Sequence, residues 1–203
     1  RVCMEYQIDW IFHMAALLSA VGEKDPKLAI KINNMGVENT LEVARLNDLR
    51  IYIPSSIAAF GDSTPAILTP QLTIQRPRTI YGITKVYSEL LGEYYHQRYG
   101  LDFRSLRYPG IISSKAMPGG GTTDYAVEIY HEAIKHSYYK CFLAEETRLP
   151  MMYMPDCIKA TIMLMEADAA KLSHRVYNVT GVSFTPAEQA ESIKKKIPDF
   201  KME

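Results

Sequence analysis

Short apolar runs separated by longer stretches of near-helical apolar spacing predict an α/β chain. Ile8 to Ala16 is mostly apolar, as expected for a strand buried on both faces of a parallel sheet. Ser19 to Asp25 reads as a loop, and Pro26 suits the first turn of a helix, where its missing N–H costs little. Leu28, Ile32, Met35, Val37, Leu41, Val43 and Ala44 then recur at near-helical spacing to about Arg45, and Asn33 interrupts them. Ile51 to Ser55 predicts the next strand, with Pro54 where the ladder is finishing. Asp62 to Arg78 carries Pro65, Pro70 and Pro77 and predicts a loop. From about Tyr81 a helix sets Val86, Leu90, Leu91, Tyr94 and Tyr95 on an apolar stripe expected in the core, with Gly100 as its stop. Phe103 to Tyr108 is a strand ended by Pro109-Gly110. Tyr125 to Lys135 reads as helix, Lys140 to Arg148 as a short extended piece, and Asp156 to Met165 as an amphipathic helix. Val176 to Val179 predicts a last sheet strand, and Thr185-Pro186-Ala187-Glu188 a helix start.

The 203 residues are 47% hydrophobic, enough for one domain or most of one with a sizeable core. Lys+Arg of 23 equals Asp+Glu of 23, so no overall basic field points to nucleic acid or an anionic membrane. No apolar run reaches the length of a membrane span, and nothing at the N-terminus reads as a signal peptide. Cys3, Cys141 and Cys157 are widely spaced, without a Cys-x-x-Cys pair, which points to a reducing compartment and no metal site. The chain begins at Arg1 rather than a methionine, which leaves room for a lost targeting sequence.

Chemistry concentrates at Tyr81-Gly82-Ile83-Thr84-Lys85, where a tyrosine and a lysine at i and i+4 share one helix face. An unperturbed phenol is only roughly one part in a thousand ionised at neutral pH. A fixed cation beside it lowers that pKa and makes it a proton acceptor. Taken alone, the pentapeptide reads more readily as a chance pairing with the lysine lying over the tyrosine ring. Ser113 to Gly121 is glycine-rich but lacks the Gly-Lys-Ser/Thr ending of a phosphate loop.

Three pieces change the weighting. A strand ending in Ser55-Ser56 is followed by Phe60-Gly61, then comes the Tyr81-x-x-x-Lys85 helix, then a strand ending in Pro109-Gly110. Together they resemble the extended short-chain dehydrogenase/reductase (NAD-dependent epimerase/dehydratase) family. Ala16–Glu23, Gly119–Ala126 and Arg148–Tyr153 are similar to that family's L-threonine 3-dehydrogenases, and the resemblance runs from about Ile8 to about Phe200. It implies an α/β fold: a Rossmann-like parallel sheet with flanking helices, its N-terminal βαβ part missing, plus a small C-terminal substrate-binding region. Residues 1–112 would be the C-terminal part of the dinucleotide-binding domain, 113–175 mostly substrate region and lid, and 176–203 a returning strand and the start of a C-terminal helix.

The implied activity is NAD-dependent oxidation of L-threonine at its 3-hydroxyl to 2-amino-3-oxobutyrate. Tyr81 would take the proton, Lys85 would hold the nicotinamide ribose and lower the tyrosine pKa, and Ser56 would hydrogen-bond the reacting oxygen. Relatives tend to carry Ser-Thr where this chain has Ser55-Ser56, and either hydroxyl serves. The resemblance puts the cofactor against His13, Ala15, Ala16, Asn33, Ser55, Tyr81, Lys85, Tyr108, Pro109 and Ile111. By residue type, His13 is a packed core histidine rather than a catalyst, and Asn33 is either a solvated amide or the brace of the catalytic strand and of a lysine-bound water. Ser19, Ser56, Tyr81, Gly121, Thr122, Thr123 and Arg148 would meet the substrate, Arg148 reading equally as a surface charge. Ser113 to Gly121 would be a mobile lid. The implied partners are L-threonine and a second copy docked through the Tyr81 helix, with no nucleic acid or membrane. The compartment would be the mitochondrial matrix in an animal and the cytoplasm in a bacterium.

No Gly-x-x-Gly-x-x-Gly strand turn for a pyrophosphate occurs in the chain, and no acidic residue is placed for an adenosine ribose. The family carries both ahead of the point matching Ile8, so the chain is expected to be truncated at both ends, with Ile8–Ala16 exposed as a sheet edge. Two other readings stay open: a non-catalytic remnant lacking the pyrophosphate site, and a nucleotide-sugar epimerase of the same fold.

Overall fold

The structure, a computed structural model, describes residues 2–115, 117, 119 and 121–203. In chain order it comprises α1 (Val2–Glu5), β1 (Trp10–Phe12), α2 (Ser19–Lys24), α3 (Pro26–Leu46), β2 (Arg50–Tyr52), β3 (Ser55–Ser56), α4 (Ile80–Tyr99), β4 (Phe103–Tyr108), β5 (Gly110–Ile112), α5 (Tyr125–His136), β6 (Tyr138–Tyr139), β7 (Leu149–Tyr153), α6 (Met154–Glu166), β8 (Val176–Asn178), β9 (Val182–Phe184), α7 (Pro186–Lys194) and β10 (Lys201–Met202). Two compact units result. One runs to Tyr108 and takes in Lys159–Val179; the other holds Pro109–Ile158 and Thr180–Glu203.

The first unit is a parallel sheet. β4 lies at its centre, paired with β2 and then β3 along one side and with β8 along the other; β1 pairs with β2. Val37, Leu41 and Ala44 of α3 close on Ile51, Ile53, Phe103 and Val176, each side chain larger than alanine contributing about 1.5–3 kcal/mol on burial. Strand β1 is shorter than its apolar run, and Trp10 and Phe12 are exposed rather than buried on both faces. Beyond it no strand pairs among the described residues, as expected of a sheet edge.

Three local expectations are corrected. Ser19–Lys24 is a helix, because Gly22 lets α2 lie close on Ala29 and Ile80; Asp25 then caps α3 through the Leu28 N–H at 3.0 Å. Lys140–Arg148 is not extended: its Glu145 carbonyl accepts the Ala187 N–H at 3.0 Å, and the strands flank it as β6 and β7. The divisions expected at 112/113 and 175/176 fall instead at 108/109, 158/159 and 179/180. Arg104, fully buried, explains the middle one: it donates to the Leu164, Met165 and Ala167 carbonyls and so holds the end of α6 in the first unit.

In the second unit β7 pairs parallel with β5 and antiparallel with β9, and β6 pairs with β10. Tyr125, Ile129 and Ala133 of α5 pack on Met151, Ile193 and Phe200. A capping box starts α7: Thr185 Oγ1 accepts the Glu188 N–H at 3.2 Å, and Glu188 accepts the Thr185 N–H at 3.1 Å.

The inward faces of the two long helices differ from the apolar stripes. The buried residues of α3 are Ala29, Asn33, Val37, Leu41 and Ala44, so Asn33 continues the core face, while Leu28, Ile32, Met35 and Val43 are exposed. In α4 the buried residues are Gly82, Thr84, Lys85, Ser88, Glu89 and Gly92, while Leu90 and Tyr94 face outward. A helix that turns its small and polar side toward the sheet has a use for those groups.

Candidate active site

Ser55 and Ser56 end the strand path of the first unit on the carboxyl side of a parallel sheet, where such sheets place their ligand crevice. Ser56 Oγ accepts the Ala58 N–H at 3.1 Å and starts a short 3₁₀ turn over Ile57–Ala59. That turn abuts α4: a Cβ on Gly82 would stand 2.2 Å from the Ala58 carbonyl oxygen. Only glycine permits this approach, and it puts the neighbouring Tyr81 against Ser56. Thr79 caps α4 through the Gly82 N–H at 3.1 Å, and Glu23 accepts the Ile80 N–H at 2.7 Å.

Burial holds the Tyr81 phenol above its ordinary pKa, and the Ser56 hydroxyl beside it pulls the other way more weakly. This corrects the expectation that Lys85 makes the phenol acidic. The Lys85 Nζ lies 5.3 Å from the Tyr81 ring centroid and donates to the Pro54 carbonyl at 2.6 Å. Burial drives the lysine itself down to about 8, against the opposing pull of Glu89.

Asn33 is buried, and its solvated reading falls away. Its Oδ1 accepts the Leu17 N–H at 2.8 Å, and its Nδ2 donates to the Leu17 carbonyl and to Thr84 Oγ1, each at 3.1 Å. Every polar atom of the amide is used to tie the segment after β1 to the helix of Tyr81 and Lys85. Thr40 Oγ1 donates to the Gly36 carbonyl at 2.7 Å, so its lone pair must accept Nδ1–H from His13 at 2.9 Å. The His13 Nε2 is therefore a bare acceptor, buried without a protein partner, and burial and then the Lys85 charge lower the pKa of the ring.

The other expected residues take the following positions, each within its own unit. Ala15 is exposed, Ala16 is half-buried, and Ser19 opens α2. Tyr108 turns its hydroxyl to Tyr52, 2.7 Å away, and to Thr161. In the second unit Pro109 is buried and Ile111 lies in β5. Gly121 donates its N–H to Asp124 at 2.7 Å, Thr122 is exposed and Thr123 half-buried. Arg148 is paired with Glu188 and donates to the Ser183 carbonyl at 2.9 Å, which matches its reading as a surface charge. The lid expectation over Ser113–Gly121 falls partly on residues 116, 118 and 120, outside the described residues.

Sequence reasoning does not reach Glu89, Arg107 and Gln75, which form a buried network beside Ser55. The signal was available in part, since Glu89 is i+4 from Lys85. A separate cavity of about 260 Å³, lined by Glu93, His96, His174 and Arg175 among others, shares no residue with the cluster. Among the described residues no group of three His, Cys, Asp or Glu stands together as a metal site, and no helix is long and apolar enough to cross a membrane.

The chain is similar to known proteins. The chain is 54% identical over 202 residues to the mitochondrial L-threonine 3-dehydrogenase of Bos taurus, matching 100% of itself and 54% of that protein. The crystal structure of L-threonine dehydrogenase from Phytophthora infestans superposes with a TM-score of 0.98 at 58% identity, over 100% of this chain and 66% of that one. The holo form of a GalE-like L-threonine dehydrogenase from Cupriavidus necator follows at TM-score 0.96 and 52% identity, over 99% and 66%. The chain thus spans about half the length of the curated relative and two thirds of the solved ones. The model of the NAD dependent epimerase/dehydratase family matches residues 1–180, and the chain belongs to that family.

Proposed function

We propose that this chain carries the reacting side chains of an NAD-dependent L-threonine 3-dehydrogenase, which oxidises the 3-hydroxyl to give 2-amino-3-oxobutyrate. The observation that carries the reading is the Lys85 ammonium 5.3 Å from the Tyr81 ring centroid and bonded to the Pro54 carbonyl, on the strand end that carries Ser56. Ser56 donates to the substrate's 3-oxygen and fixes its distance from the phenol. Tyr81 removes the hydroxyl proton. Burial keeps Tyr81 protonated at neutral pH, so oxidation is expected to accelerate as pH rises and the phenolate fraction grows. NAD, if bound there, would supply the acceptor for the hydride of carbon 3. Its ribose hydroxyls suit the bare His13 Nε2 acceptor and the Lys85 and Tyr81 donors, and the small Ala15 and Ala16 leave room for close approach. Asn33 keeps its part by holding Leu17 and Thr84.

Ser19, and in the second unit Gly121, Thr122, Thr123 and Arg148, are read as substrate-recognition residues. Arg148 reaches a carboxylate only by leaving Glu188. The exposed stripe of Leu28, Ile32, Met35, Val43 and Leu46 on α3, with Ile83, Leu90 and Tyr94 on α4, supports docking of a second copy on these helices.

The test is Tyr81→Phe in a full-length form of the protein. Threonine-dependent NADH formation should fall by about 10²–10⁴-fold while NAD binding is retained. Undiminished turnover would refute the assignment, and turnover of a nucleotide sugar in place of threonine would move it to the epimerases.

A further inference from the structure

Two consecutive residues of the strand path, Pro54 and Ser55, are stitched to α4 just before Ser56 by side chains one turn apart: the Pro54 carbonyl accepts from Lys85, and Ser55 Oγ donates to Glu89. Lys85 belongs to the proposed reaction; Glu89 does not. Glu89 is 2% exposed, and its carboxylate accepts more than Ser55. Arg107 donates Nε at 3.0 and 3.1 Å and Nη2 at 2.8 Å, and Gln75 donates Nε2 at 2.8 Å. Arg107 is also the β4 partner of Ser55 in register, so one carboxylate holds both members of the strand pair that ends at Ser56.

Buried ion pairs are frequently no more stabilising than an apolar substitute, so stability alone does not account for this one. Its placement does: Glu89 is on the face of Tyr81 and Lys85, eight and four residues along. We propose that Glu89 is a positioning residue of the site, tying the strand end that carries Ser56 to the helix that carries Tyr81, and supplying the negative charge that keeps Lys85 an ammonium. The inference rests on reading Ser56, Tyr81 and Lys85 as the reacting group.

The groups facing Lys85 agree with this sign. From its own helix come Tyr81, a neutral phenol, and Glu89; from beyond β1 comes His13, whose charged form the lysine disfavours; from β4 comes Arg107, which grips Glu89 through three hydrogen bonds. Glu89 is the group that raises the lysine pKa against burial.

The test needs neither NAD nor threonine. The chain is prepared with carbon-13 at the lysine ε position, the Lys85 signal is assigned by its loss in Lys85→Met, and its shift is followed by NMR across neutral and alkaline pH. The wild-type midpoint is expected near 8. In Glu89→Gln it should fall by about one pH unit or more, a tenfold loss of proton affinity. Ser55→Ala, which leaves the charges in place, should keep the wild-type midpoint. If Glu89→Gln does not fold, Glu89→Gln/Arg107→Gln removes both charges and is expected to shift in the same direction. A wild-type midpoint in the Glu89 variants overturns the proposal. An equal fall in Ser55→Ala also overturns it, because packing rather than charge would then set the midpoint. Either failure leaves the dehydrogenase reading to be judged separately by Tyr81→Phe.

Discussion

Lys85 gives the stability of the fold an unusual pH dependence. Its ammonium titrates at about 8 in the folded chain against 10.5 in the unfolded one. Between those values the unfolded chain holds more protons than the folded one, so the free energy of unfolding rises with pH. Below the lower value the cost of folding around a charged lysine is present in full; it is relieved as pH climbs through the window and is gone above the upper one. The shift, 10.5 minus about 8, corresponds to about 3 kcal/mol. Other groups oppose it. Burial pushes the Cys157 thiol up to about 11, and Tyr87, Tyr95 and Tyr125 are each raised to about 12, so all four lower stability on the alkaline side. They are cancelled by comparing the chain with its Lys85→Met variant. Urea unfolding of both at a series of pH values gives two curves, and the wild type minus the variant should climb by about 3 kcal/mol across the window. Parallel curves would refute the reasoning, because they would mean that Lys85 titrates alike in both states.

Three further outcomes follow from packing. Arg104→Met strips the Leu164 and Ala167 carbonyls and one side of Asp102 of a side-chain donor, leaving Met165 to Arg50, and should cost about 3–5 kcal/mol in urea unfolding; a loss below about 1 kcal/mol would mean Arg50 and Arg175 suffice. Gly92→Ala places a Cβ 2.4 Å from the buried Phe103 ring and should lower stability by about 1–3 kcal/mol despite alanine's better helix propensity, read as a fall in Tm. Thr185→Ala removes the α7 cap and should cost about 1 kcal/mol, while Thr185→Ser should restore it.

The strands and helix boundaries were legible where local chemistry and tertiary packing agree. Phe103–Tyr108 is a strand over its expected span, and Gly100 ends α4 with φ of 72° and its N–H on the His96 carbonyl, as a glycine stop predicts. Thr185 and Glu188 announced their capping box in the sequence. Where elements were missed, a long-range partner decided the matter. Lys140–Arg148 is expected to be extended, yet its Glu145 carbonyl takes the Ala187 N–H at the start of α7 and its Cys141 N–H goes to the Glu203 carbonyl, and no local pattern encodes such partners. Ser19–Lys24 became a helix because Gly22 admits its neighbours closely, a property of the partners at Ala29 and Ile80.

Apolar periodicity misled most on α4, and the reason bears on the site itself. A periodic apolar stripe marks the core only if the other face has nothing better to do than meet water. Here the inward face carries Lys85, Ser88 and Glu89, each buried and each supplied with a partner, so Leu90 and Tyr94 are displaced outward while Leu91 and Tyr95 keep only the flank of the core. Burying a lysine and a glutamate is costly unless a structure fixes their partners, and those partners come from Pro54, Ser55 and Arg107. The same inversion occurs on α3, where Asn33 lies in the buried row while Ile32 and Met35 are exposed. In both helices the residue that breaks the apolar rhythm is the one that touches the Ser56, Tyr81 and Lys85 neighbourhood. A polar interruption on the inward face, counted in steps of four from Tyr81, therefore reaches Glu89 as directly as it reaches Lys85.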